Sequence, residues 1–115
     1  QKSKANDAQA KELARTAQTT AETIATDNNG SYSTLSQTEL SKYEKSIPVS
    51  ASEGTACTGS TTCIKSAKGT GTGYEVVAES PVTKDTFTIK DLEGVITREC
   101  VASGSNKGGC PNSTW

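Results

Sequence analysis

A chain of 115 residues with a formal net charge of −1 and no histidine leaves room for one domain and excludes His-based triads and most metalloenzyme sites. Its twelve basic residues are scattered among thirteen acidic ones, so no basic patch is offered to phosphate, and a nucleic-acid partner is not expected. Sixteen residues are Leu, Ile, Val or Phe, below the usual share, which points to a small core that needs extra support.

The first element is the stretch Ala5–Thr26. Ala10, Leu13, Ala14, Ala17, Ala21 and Ile24 recur at steps of three and four, which puts them on one stripe of an α-helix. Lys11, Glu12, Arg15, Gln18 and Glu22 fall on other sides, and the stretch holds neither Gly nor Pro. Asp27-Asn28-Asn29-Gly30 follows, and Asn or Gly just past a helix accepts the left-handed conformation that ends it. The stripe is mostly alanine, so it is thin and smooth. It suits packing on the chain's own domain, and also packing against copies of the chain.

A short loop leads to Ser36-Gln37-Thr38-Glu39, which has the form of a capping box and opens a short helix through about Tyr43 or Lys45. Leu35, Leu40, Tyr43 and Ile47 are its expected inward contacts, and Pro48 stops it. Val49 to Thr62 reads as loop, with a short strand at Thr62–Lys65. The alternating glycines of Lys68–Gly73 lack the spacing and the following helix of a phosphate loop, so they read as a hairpin turn.

Tyr74–Glu79 reads as a strand, and Thr86–Lys90 is the clearest one, with apolar and polar residues alternating. Asp91-Leu92-Glu93-Gly94 then forms a four-residue turn, and Val95–Val101 returns. That turn places Lys90 opposite Val95, with Phe87, Ile89 and Ile96 on one face toward the helix. The expected fold is therefore α+β: a long N-terminal helix packed against a small antiparallel sheet, with a short second helix in the connection.

Four cysteines, Cys57, Cys63, Cys100 and Cys110, point to disulfides and an oxidising compartment. Three connectivities are open. The adjacent one, Cys57–Cys63 with Cys100–Cys110, closes two short loops, each contributing about 2–3 kcal/mol. A zinc site fits the spacing poorly. Asp91 and Glu93 supply too few oxygens for calcium and read as a polar turn. Asn29-Gly30-Ser31 and Asn112-Ser113-Thr114 match glycosylation sequons, with Asn29 better explained as a helix stop. A cysteine nucleophile lacks its usual base, so an enzyme is not expected, and neither is a cofactor. No run of about 18 apolar residues is present, as a membrane span would need.

Residues Ala21–Tyr32 (AETIATDNNGSY) resemble the helix-to-loop junction of type IV pilins and pilin-like proteins. Thr86-Phe87-Thr88-Ile89, Gly94, Ile96-Thr97-Arg98-Glu99-Cys100 and Gly109-Cys110-Pro111 are similar to that family's last hairpin and C-terminal loop. Gln1–Ala5 resembles the point where the helix leaves its membrane-embedded half. The family's processing site and apolar helix half are absent, so the resemblance implies a soluble domain cut from a longer chain. It implies a single pilin-like domain over 1–115: helix about 5–26, connecting loop about 27–70, sheet about 72–101, and a C-terminal disulfide loop over 100–115. A C-terminal cysteine loop is the commoner pattern in similar proteins, and Cys57/Cys63 is an extra pair in the most variable region. The pairing expected is thus Cys57–Cys63 with Cys100–Cys110.

The function so implied is structural: a type IV pilus subunit, a homo-oligomer in a helical filament on the bacterial surface, serving adhesion, motility or DNA uptake. Its precursor would sit in the cytoplasmic membrane through the missing segment and be handled by pilus assembly machinery. The stripe Ala10, Leu13, Ala14, Ala17, Ala21 and Ile24 would carry the helix packing. A minor pilin or a type II secretion pseudopilin is an alternative. A small secreted, disulfide-stapled binding module is the alternative from another class.

Overall fold

The first element, α1, runs over Lys2–Asp27, starting earlier than the alanine periodicity predicts. The structure, a computed structural model, describes residues 2–104 and 108–115, with side chains in α1 from Lys4 onward. Gln1 and residues 105–107, the middle of the expected C-terminal loop, lie outside the described residues. After α1 come α2 (Gln37–Tyr43), β1 (Cys63–Gly69), β2 (Tyr74–Glu79), β3 (Thr86–Leu92) and β4 (Val95–Val101). The four strands form one antiparallel sheet in chain order, β1-β2-β3-β4. The fold is α+β, as the sequence predicts.

α1 ends as its sequence dictates. Asn29 and Gly30 both take positive φ (57° and 86°), and the Gly30 N–H donates to the Ala25 carbonyl at 2.7 Å. The helix lies across β1, β2 and β3. Its alanines bring the backbone close to the sheet, and the sheet supplies the bulk of the core through Ile64, Val76, Phe87 and Ile89.

At α2, Ser36 caps the helix by accepting the Glu39 N–H at 3.0 Å. The reciprocal half of the capping box differs from expectation. Glu39 turns to Lys42 at 3.3 Å, and Glu53 from the loop accepts the Gln37 N–H at 2.8 Å instead. Leu35, Leu40 and Ile47 are buried, as expected. Tyr43 is not: it is 40% exposed and donates its hydroxyl to Asp27 at 3.0 Å. An amphipathic ring near a helix end keeps its polar tip wet.

β1 is longer than predicted, reaching Gly69, because its glycine-rich end pairs with Tyr74 and Glu75 and a register shift between Ile64 and Ser66 interrupts the alternation that marks a strand. The β3–β4 hairpin corrects the expected register. Leu92 pairs with Val95, so Lys90 faces Thr97, Ile89 faces Arg98 and Phe87 faces Cys100. The turn is two residues, Glu93 and Gly94, both at positive φ (53° and 93°). Such turns match the strand twist and are favoured over looser ones. Ile96 therefore pairs with Asp91, beyond the reach of α1, and stands 48% exposed.

Both sheet edges receive partial cover. Along β1, the Ile64 N–H donates to Pro48 and the Ser50 N–H to Ile64. Along β4, the Cys100 N–H donates to Ser113 and the Trp115 indole N–H to Glu99. Such cover blunts an edge that would otherwise template pairing with another chain.

Candidate functional site

The residues singled out by the sequence fall into three places. The first is the α1 stripe. Ala10, Ala14, Ala17 and Ala21 are fully buried and Ile24 nearly so, all in the chain's own core; Leu13 is half-buried at the margin. The uncovered face of α1 carries Ala5, Ala8, Glu12, Arg15 and Thr19. Near its start Ala5 and Ala8 stand exposed among Lys4, Gln9 and Glu12.

The second place is the pair of disulfides, Cys57–Cys63 and Cys100–Cys110. Cys57–Cys63 closes the connecting loop and is braced by Glu79, which is 4% exposed and accepts the Cys57 N–H at 2.6 Å. Lys65 stands 3.9 Å from the same carboxylate. Glu53 does similar work nearby, accepting N–H groups from both Gln37 and Ala67 at 2.8 Å. Cys100–Cys110 ties the tail to β4. There Trp115 meets Phe87 edge-on, with centroids 5.9 Å apart, and takes the guanidinium groups of Arg15 and Arg98 against its ring at 5.1 and 5.5 Å. The tail, β4 and α1 thus share one clamp.

The third place is the end of the sheet bearing both hairpin turns. A groove of about 610 Å³ runs between them, lined among others by Lys68, Tyr74, Glu75, Lys90, Asp91 and Glu93. Within it Lys90 reaches Glu75 at 3.9 Å, and it reaches Glu99 on β4 at 3.4 Å. The Asp91 carboxylate accepts the Gly94 N–H at 2.7 Å, so from the end of β3 it braces the turn. Among the described residues no group of three or more Cys, Asp or Glu converges as metal ligands would. Tyr74 lies beneath the groove, tilted against Tyr32 with centroids 4.9 Å apart, and burial pushes its phenol up to about 12. Asn29 and Asn112, the two sequon asparagines, are exposed.

One cluster has no signature in the sequence. Asp7 and Asp85 are 78 positions apart, yet both are buried, at 0% and 1% exposure, and their carboxyl groups meet. Asp7 accepts from the Thr83 hydroxyl at 2.8 Å and the Gly109 N–H at 2.7 Å. Asp85 accepts the Ser103 N–H at 2.8 Å through Oδ1, while its Oδ2 has no donor. Asp7 occupies the same helix face as Ala10 and Ala14, so extending the stripe back one turn is the only cue that it turns inward.

No helix among the described residues is long and apolar enough to cross a membrane. Compared with known proteins, the chain matches no family model, no curated protein and no solved structure.

Proposed function

We propose that this chain is the globular part of a filament subunit of the type IV pilin kind, assembling through α1 and serving adhesion, surface motility or DNA uptake. The observation that carries the reading is architectural: one long helix lies across a four-stranded antiparallel meander, and a disulfide staples the tail back to the last strand. The motif order from Ala21 to Tyr32 and from Thr86 to Pro111 supports it. In this proposal the alanine stripe fixes α1 on its own sheet, and contacts with copies fall to the uncovered face around Ala5 and Ala8, with Leu13 at its margin. The connecting loop and the tail decorate the filament surface. The subunit has no catalytic role and needs no cofactor. Its membrane-held precursor and its assembly machinery belong to the same proposal.

Such a subunit requires an apolar segment ahead of α1. The test is immunogold electron microscopy of cells carrying the complete gene, with antibody raised against this domain. Long decorated filaments are expected. Label confined to short stubs at the envelope would favour a minor pilin or secretion pseudopilin. Label found only on released monomer would overturn the filament reading and favour a secreted binding module.

A further inference from the structure

We propose that the buried Asp7–Asp85 pair is a proton-operated latch: with one proton shared it holds the start of α1 against the 80–85 loop and the C-terminal disulfide loop, and without that proton it loosens both. The geometry is the ground for this. Three segments far apart in sequence meet at two carboxyl groups. α1 brings Asp7, the loop before β3 brings Thr83 and Asp85, and the tail brings Ser103 and Gly109. Among the described residues the donors to Asp7 and Asp85 are two backbone N–H groups and one hydroxyl, all neutral. Gly109 is part of the fit, because a Cβ there would stand 2.7 Å from the Asp7 Cβ.

Among the described residues no charged group is paired with either carboxylate, the side chains of Lys2 and Lys107 lying outside them. On α1, Lys4 is exposed, and Lys11 points its ammonium at the Phe87 ring, 5.5 Å from the centroid. From the 80–85 loop, Lys84 is exposed. From the tail, Lys107 lies outside the described residues. Among the described residues no salt bridge reaches either carboxylate. Two abutting carboxylates in such a place cannot both ionise without repulsion and desolvation cost, so one keeps a proton and donates it to the other. The unpartnered Oδ2 of Asp85 is where such a proton has room. Burial first, and the Asp7 carboxyl second, push Asp85 up to about 6.

The sign follows from linkage. Between about pH 4 and 6 the unfolded chain has lost this proton and the folded chain keeps it. The pair's contribution is therefore complete below about pH 4 and is lost as pH rises through 6. Above that, both carboxylates are charged, and the N–H bonds to Gly109 and Ser103 are held by a self-repelling acceptor pair. The latch is closed in acid and loose at neutral pH, opposite to the usual carboxylate whose partner is a cation. This inference does not rest on the filament reading.

The test is an NMR titration of the Asp7 and Asp85 side-chain carboxyl carbons in the wild-type domain. It is combined with hydrogen-exchange protection of the Gly109 and Ser103 amides at pH 5 and pH 8, corrected for intrinsic rates. One carboxyl step near 6 is expected, with at least about tenfold lower protection of both amides at pH 8. In Asp85→Asn the amide replaces the shared proton, so protection should be equal at the two pH values. Relative to that variant, the wild-type folding constant should fall about thirtyfold from pH 4 to 6. Both carboxyls titrating below 4.5, or unchanged wild-type protection, would overturn the latch. So would a pH dependence that survives in Asp85→Asn. If that variant fails to fold, the wild-type titration and exchange decide alone.

Discussion

Tyr74 buries a phenol whose hydroxyl has no hydrogen-bond partner, with Gln18 beside it but outside bonding geometry. A buried hydroxyl without a partner costs desolvation and returns nothing, whereas the ring's packing on Tyr32 is kept by phenylalanine. Tyr74→Phe should therefore leave stability within about 1 kcal/mol of wild type, or raise it, in urea denaturation. A loss of about 2 kcal/mol or more would mean that the hydroxyl is bonded in solution. Glu79 illustrates the opposite case, burying a carboxylate that accepts the Cys57 N–H and faces Lys65, and the exposed Glu53 collects the N–H groups of Gln37 and Ala67. These roles are not legible in the sequence. A glutamate in a Ser- and Thr-rich loop reads as solvated until the chain folds around it.

At the scale of elements, periodicity carries furthest where one face of an element is buried. The α1 stripe, the short capped α2 and strands β2 to β4 all follow from spacing, capping residues and alternation. β1 does not, because its bulge breaks the alternation. The β3–β4 register slips by two residues for a related reason. Asp91 and Leu92 look like turn residues but continue the strand, and only the pair at positive φ turns. Five threonines in α1 would weaken an isolated helix. Here Thr16, Thr19, Thr20, Thr23 and Thr26 each donate a hydroxyl to the carbonyl four residues back, so their hydroxyls stay bonded within the helix. Packing of the alanine stripe, rather than propensity, then decides the helix. Ala17→Arg forces a long cation into a fully buried core position, and should cost more than about 3 kcal/mol. Circular dichroism during urea titration would show this as a low midpoint or an unfolded chain. A wild-type midpoint would mean that the stripe is not buried under the sheet.

For the whole molecule, the scarce aliphatic residues noted at the outset are offset by covalent and polar ties between distant segments. The Cys100–Cys110 disulfide, the Trp115 clamp and the Asp7–Asp85 contact all bind the tail to β4 or to α1. Cysteine parity announces the first, while the other two depend on contacts between opposite ends of the chain and leave no local pattern. Replacing Cys100 and Cys110 together by serine should lower stability by about 2–3 kcal/mol. The wild-type chain, denatured, should show no reactive thiol. A full-strength double variant would mean that the tail is held by the clamp and the acid pair alone.

The filament proposal makes a sharper demand on the molecule, because folding and assembly are assigned to opposite faces of one helix. Ala8 is exposed, on the side of α1 away from the buried Ala10 and Ala14. Ala8→Arg, introduced into the complete gene, separates the two roles. The purified domain should keep its stability within about 0.5 kcal/mol of wild type, while electron microscopy of the cells should find filaments lost or reduced to stubs. Filaments of normal length and number from this variant, with the domain folded, would contradict assembly through the uncovered face of α1.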